Sequence, residues 1–289
     1  MCTVSLGMKK TKRIENMVQY LVLVILAAFV LYPLLYVVFG SFKENQELLL
    51  GGSNIFPKKF IFQNYIDAWR GANFARFTFN SIFLSFFVMA GVVLLSSMSG
   101  YCFARKEFPF KNIIYGALIA FMFVSIGSVS LRPLFEVAMK FNLHKSLWGV
   151  ILITIGTTQS SNIFLVRGYV NSIPKEVDEA AYIDGCSFVG VFWRILVPLM
   201  VPILATVALL AFRAGWNQYM LPYVFTMSNP DMRPLTVGVV QLQNSMDGSA
   251  ANWNIMFAGA SMAIVPIVVL YSFTSKYFIA GLTSGAVKG

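Results

Sequence analysis

Charge is what this sequence has least of. Asp, Glu, Lys and Arg make up 12% of its 289 residues, about half the share of a soluble globular chain. Hydrophobic residues reach 57% and mean hydropathy is +0.71. So few charges cannot cover a water-facing surface of this size, which excludes a soluble enzyme, and the apolar excess equally excludes disorder. There is one histidine, His144, and it lies in a short loop, where it reads as an interfacial residue rather than as the base of a Ser/His/Asp arrangement. The three cysteines, Cys2, Cys102 and Cys186, lack the spacing of a zinc site or a disulfide framework. The pattern G-x-x-x-x-G-K-[ST] is absent and no Gly-Lys pair occurs, so no phosphate-cradling loop is expected on this chain.

What the sequence does have is long uncharged runs: Asn16–Phe42, Phe77–Ala104, Asn112–Leu131, Ser146–Val166, Ile195–Phe212 and Gly248–Ser275. Each reaches the roughly 18–20 residues that cross a bilayer as a helix. None alternates in polarity over segments of about 10 residues, as barrel strands do. The expected fold is an all-α integral membrane protein of six transmembrane helices in a single domain over residues 1–289. The predicted spans are about 17–42, 77–104, 112–138, 146–168, 197–222 and 254–276. Lys9, Lys10, Lys12 and Arg13 before the first run imitate a signal peptide. That run is about twice too long for one and no A-x-A site follows, so it is read as a helix, with Met1 or Met8 as the start. The net charge of +10 would suggest nucleic acid in a soluble chain. Here basic residues at the ends of spans account for it, and the expected surroundings are membrane lipid with no nucleic acid.

An even number of spans puts both termini on one side. Basic residues favour that side as the cytoplasm, most clearly the cluster Arg105, Lys106 and Lys111. The first external loop, about 43–76, carries Phe56, Phe60, Phe62, Tyr65 and Trp69 and is expected to form an ordered interfacial cap. The third, about 224–253, is rich in Asn, Ser, Asp, Pro and Gly and is expected to be exposed and adaptable.

The one long cytoplasmic segment holds Glu176, Asp178, Glu179 and Asp184. Pro174 suits a first helical turn, the acidic residues suit that helix's N-terminal half, and Gly185 suits its end. Val177, Ala180, Ala181 and Tyr182 supply a short apolar face, and a second short helix, Phe188–Ile195, leads onward. The segment 172–195 reads either as a docking knob for a soluble partner or as an interfacial loop without one.

Glu179-Ala180-Ala181, Gly185 and then Ile195-Leu196-Val197-Pro198 resemble the E-A-A-x-x-x-G-(nine residues)-I-x-L-P signature of permease subunits of binding-protein-dependent ABC importers. Val197 stands where that family usually has Leu. The ending Gly281–Gly289 is similar to the tail of the maltose-type carbohydrate permeases. Asn80-Ser81 and Tyr101-Cys102-Phe103-Ala104-Arg105 also look like that group, with Cys102 where Ala is common. The resemblance covers essentially the whole chain and implies a type I importer permease in the bacterial cytoplasmic (inner) membrane, without catalytic residues or cofactor of its own. ATP and Mg would be bound by a partner ATPase dimer. Glu179, Ala180, Ala181, Asp184, Gly185 and Pro198 would form the coupling site, with Glu179 facing the ATPase and Ala180 and Ala181 allowing close approach. Lys288 and Gly289 would lie beside the ATPase. A second permease would complete a heterodimer, and the third external loop would reach toward a sugar-binding protein.

Polar residues inside spans are leads to a translocation path. Gln159 and Asn162 sit in the polar run Thr157–Asn162, with Gln159 roughly 18 Å along its helix from Leu147. They read equally as path-lining groups or as side chains bonding neighbouring helices. Arg213, Trp216 and Asn217 offer a ring and donors suited to a sugar, although the resemblance implies that the sugar site lies largely on the partner permease. Arg132 and Glu136 are expected to pair at i,i+4. Two rivals stand beside a carbohydrate importer: an ABC permease for another solute, such as polyamines or phosphate, and a stand-alone secondary transporter. The latter predicts an inverted repeat and midplane ionisable residues, which the sequence does not display.

Overall fold

The computed structural model of the chain describes residues 3–50, 54–124, 127–243 and 251–286, and no strand occurs among them. The helices in chain order are α1 (Thr3–Gly40), α2 (Asn45–Leu50), α3 (Gln63–Gly71), α4 (Phe74–Arg105), α5 (Lys111–Phe123), α6 (Leu131–Lys140), α7 (Leu147–Ser172), α8 (Glu176–Ile183), α9 (Phe188–Val191), α10 (Val197–Leu199), α11 (Val201–Trp216), α12 (Met220–Phe225), α13 (Leu235–Gln241) and α14 (Trp253–Ala286). An all-helical answer follows from the composition, because a helix satisfies every backbone group within its own segment. Four helices are long and apolar enough to cross a membrane, within α1, α4, α7 and α14, and a bent pair, Phe188–Leu199 with Val201–Trp216, makes up to five.

The third predicted span, 112–138, is not one helix. α5 stops at Phe123, Val124 is extended, Gly127 takes a positive φ of 56°, and a 3-10 turn over Gly127–Ser130 precedes α6. The Gly and Ser residues weaken helix continuation there, and Pro133 is tolerated only because a new helix starts just before it. Arg132 and Glu136 form the expected pair across α6, at 3.1 Å. The fifth predicted span, 197–222, is also divided. α10 and α11 meet at an 80° bend, α11 ends at Trp216, and α12 is separate.

The chain forms two compact units, Met1–Gly71 with Leu242–Met262, and Ala72–Gln241 with Ala263–Gly289. In the first, the aromatic loop is an ordered cap. Phe42 contacts the rings of Phe60, Phe62 and Tyr65 at 5.1–5.5 Å. Asn64 donates to the carbonyls of Ser41 and Lys43 at 2.8 and 2.9 Å and accepts from Asn254 at 2.9 Å. Lys43 is buried: its ammonium donates to the Asn54 carbonyl and lies 5.7 Å from the Tyr36 ring centre.

In the second unit α4 packs against α7 and α11. Gly215 permits the α4–α11 approach, since a Cβ there would stand 2.8 Å from Ser85 Cα. Leu84, Val88, Val92, Val150, Val166, Leu196 and Val207 fill the core. The expectation of an exposed third loop holds for residues 227–231 and needs correction at α13. α13 buries Leu235, Val237, Gly238 and Val239. Asn80 donates to the carbonyls of Asp231 and Arg233 at 2.8 and 3.0 Å, and Ser81 Oγ accepts from the Leu235 N–H at 2.7 Å. Residues 244–250 lie outside the described set.

Candidate coupling site

The acidic segment folds as two short helices joined at a glycine. α8 carries Glu176, Asp178 and Glu179 in its first turn, where the helix dipole favours them. It ends in a reversal at Gly185, whose φ of 83° suits a residue without a Cβ. The Gly185 N–H donates to Tyr182 O at 3.0 Å and the Cys186 N–H to Ala181 O at 2.9 Å, which closes the end of the helix. Ser187 then caps α9 by accepting from the Gly190 N–H at 3.2 Å.

Pro198 acts through the backbone. Without an N–H it cannot bond the Arg194 carbonyl, and the chain instead forms a π-turn over Phe192–Leu196, with the Val197 N–H reaching Phe192 O. A single α-helical turn from Met200 to Leu196 follows at 2.8 Å before the bend into α11. Pro202 sits in the first turn of α11, where a missing N–H is harmless.

α8 has two faces. Asp178 and Ala181 point inward and are buried, whereas Glu179, Ala180, Tyr182, Ile183 and Asp184 are exposed. Ala181, at 4% exposure, therefore packs on the core, and Ala180 is the exposed member of the pair. Ile183, which the sequence reading passed over, is 88% exposed.

The inner face is held by the end of α4. Arg105 Nε donates to Asp178 Oδ2 at 2.5 Å, and Arg105 Nη2 donates to Ile173 O at 2.7 Å. Both charged side chains are only 7% exposed. One turn earlier, Tyr101 stacks on Phe188 at 4.4 Å and 14° and on Phe192 at 5.5 Å. The Lys106 ammonium lies 4.5 Å from the Phe188 ring centre, and Arg167 lies 3.7 Å from that of Tyr115. On the adjoining loop the Glu107 carboxyl is held below its usual range by the hydrogen bond from Lys111. In the sequence Arg105 marks the cytoplasmic side with Lys106 and Lys111, and Tyr101 to Arg105 carry a resemblance, but neither signal sets them against the acidic segment. Their contacts join residues roughly 70 to 90 positions apart, a separation that periodicity cannot register.

The path candidates separate. On α7, Thr154, Thr157, Thr158 and Ser161 bond back to carbonyls of their own helix, and Asn162 Nδ2 donates to Thr158 O at 2.7 Å. Gln159 differs: both its amide atoms are buried without a partner. Trp216 is 2% exposed, its indole N–H donates to Ala263 O at 3.3 Å, and it stacks on Phe212. Arg213 lines an apolar groove of about 310 Å³ with Phe212, Ile267 and Tyr271, while Asn217 is exposed at the end of α11. Gln218 Nε2 donates to Thr154 Oγ1 at 3.3 Å, a tie to α7 that no sequence signal marked. Lys288 and Gly289 lie outside the described residues. Among the described residues no group of three His, Cys, Asp or Glu side chains could hold a metal ion.

The sequence matches the family described as binding-protein-dependent transport system inner membrane component over residues 1–282. It is 34% identical to the arabinooligosaccharides transport system permease protein AraQ of Halalkalibacterium halodurans, over 97% of this chain and 99% of that one. It is 32% identical to the galactooligosaccharides transport system permease protein GanQ of Bacillus subtilis, over 98% and 99%. Among solved structures, a chain of a bacterial ABC transporter involved in import of the acidic polysaccharide alginate superposes with a TM-score of 0.77 at 24% identity, covering 93% of this chain and 98% of that one. The shared fold is that of the type I importer permease. The chain belongs to the binding-protein-dependent transport system inner membrane component family, and it is a multi-pass, non-catalytic permease subunit of an ABC importer.

Proposed function

We propose that this permease imports oligosaccharides and that α8 with its flanking residues, 172–195, is the surface on which a partner ATPase pushes. The exposed face of α8 carries the second part. Glu179, Ala180, Tyr182 and Ile183 stand clear of the chain on a helix whose other face is anchored. An exposed isoleucine beside a carboxylate suits a cleft with an apolar floor and a basic rim, and Ala180 allows close backbone approach. Gly185 sets the reversal and Pro198 the π-turn that lead this surface into α11. The substrate class rests on the relatives, whose names include arabinooligosaccharides, galactooligosaccharides and melibiose, raffinose and stachyose.

In this reading a second permease completes the path, a paired ATPase binds ATP and Mg, and an extracytoplasmic binding protein delivers the sugar. Both termini and α8 face the cytoplasm of a bacterial cell, with Lys288 and Gly289 near the ATPase. ATP binding closes the ATPase pair, α8 moves with it, and the path opens outward. Gln159, with Arg213 and Asn217, is the part of the path this chain supplies, and Asn162 and Trp216 serve packing. Reconstituted with its partners, the complex should take up oligosaccharides only with ATP inside the vesicles. Uptake of polyamines or phosphate instead would replace the substrate class and leave the coupling role standing.

A further inference from the structure

We infer that Arg105 and Asp178 are positioning residues for coupling: their ion pair makes α4 and α8 one rigid body, so that displacement of α8 is delivered to α4. The inference rests on the coupling role proposed above.

Tyr101 and Arg105 near the end of α4, and Lys106 just past it, all contact the segment 173–192. Tyr101 and Arg105 stand at i,i+4 and share one face of α4. The contacts differ in what they permit. The Tyr101 rings stacked on Phe188 and Phe192 form a flat bearing, and stacked aromatic surfaces can slide at little cost. The guanidinium cannot slide. It donates from Nε to Asp178 Oδ2 at 2.5 Å and from Nη2 to Ile173 O at 2.7 Å, so one rigid fork grips both α8 and the residue that ends α7. Short charge-assisted bonds of this kind depend steeply on geometry.

Burial raises what slippage would cost. Both side chains are 7% exposed, and Asp178 Oδ1 is buried with no partner. Among the described residues Arg105 is the only side chain that forms an ion pair with this carboxylate, and separating the pair would leave two buried charges without their counter-charge. Asp178 also stands next to Glu179 in sequence, roughly 100° around α8 from it, and is buried where Glu179 is exposed. A push on the exposed face is therefore carried by the α8 backbone to Asp178 and passed to Arg105. From there it reaches the 32-residue α4, which packs on α7 and α11.

The test uses the assembled transporter in proteoliposomes, reading sugar uptake per ATP hydrolysed. The double variant Arg105→Gln with Asp178→Asn removes both charges together and leaves neither unpaired. Uptake per ATP should fall by about tenfold, within the usual range of coupling between sites. A merely structural pair would lower the yield of complex and leave that ratio unchanged, and an unchanged ratio overturns the inference. A second measurement keeps the native pair. Spin labels on Glu107→Cys and Glu176→Cys, with the native cysteines replaced, flank the joint. Their distance distribution should be identical in nucleotide-free and ATP-trapped complex, and a change between the two states overturns the rigid link. A wild-type complex that neither hydrolyses ATP nor takes up sugar would instead refute the coupling reading itself.

Discussion

Trp216 and Gln159 are both polar-tipped side chains inside apolar helices, and the structure treats them in opposite ways. Trp216 is closed in, with its N–H bonded to Ala263 O, whereas the Gln159 amide is buried with neither end satisfied. Trp216→Ala should destabilise the chain by roughly 3–5 kcal/mol, the usual cost of truncating a large core aromatic. The complex that does assemble should keep its apparent affinity for sugar. Gln159→Leu removes a buried amide that has no partner, so it should be neutral or slightly stabilising. If Gln159 lines the path, that variant nonetheless slows uptake. Thermal melts paired with uptake kinetics separate the two, and a stable Trp216→Ala chain with weakened sugar affinity would reverse the assignment. A sequence marks both residues alike, as polar groups in a span. Which one is packed and which is left over depends on neighbours such as Ala263, 47 positions away.

At the scale of elements, the long helices were legible and their interruptions were only partly so. The end of α4 at Arg105 and the start of α7 just after Lys145 follow the charges that bound the uncharged runs, because a charge is what the hydrocarbon core rejects, whereas α7 continues past Arg167 to Ser172. The break between α5 and α6 was not read, because Ser125 to Ser128 are uncharged and count as membrane-compatible even where the helix stops. The ordering of residues 230–241 was missed for a related reason. Asn, Pro and Asp there signal a loop, but Asn80 and Ser81 of α4 supply the hydrogen bonds that hold it. Ser81→Ala leaves the buried Leu235 N–H without its acceptor, at a cost of about 1–3 kcal/mol. Amide exchange in Leu235–Gln241 should speed up while exchange in α7 is unchanged. Uniform loosening of both would show that Ser81 supports the core rather than α13.

For the whole molecule, the sequence signature and the structure meet at α8. Its acidic residues and Gly185 were readable as a helix–turn–helix, because dipole and positive-φ preferences are local. Its anchor was not readable, because Arg105 and Asp178 are brought together only by the packing of α4 beside α7. On the function proposed above, this permease is driven from outside itself, through the exposed face of α8. The most direct measurement is to tag the chain in its native membrane, solubilise it gently, and compare wild type with Glu179→Lys for co-purifying proteins and for ATP-driven uptake. The account predicts that the wild-type chain brings down an ATPase and a second permease and transports, and that Glu179→Lys inserts normally but fails to transport. Normal transport by Glu179→Lys, or a lone chain that moves solute without ATP, would contradict it.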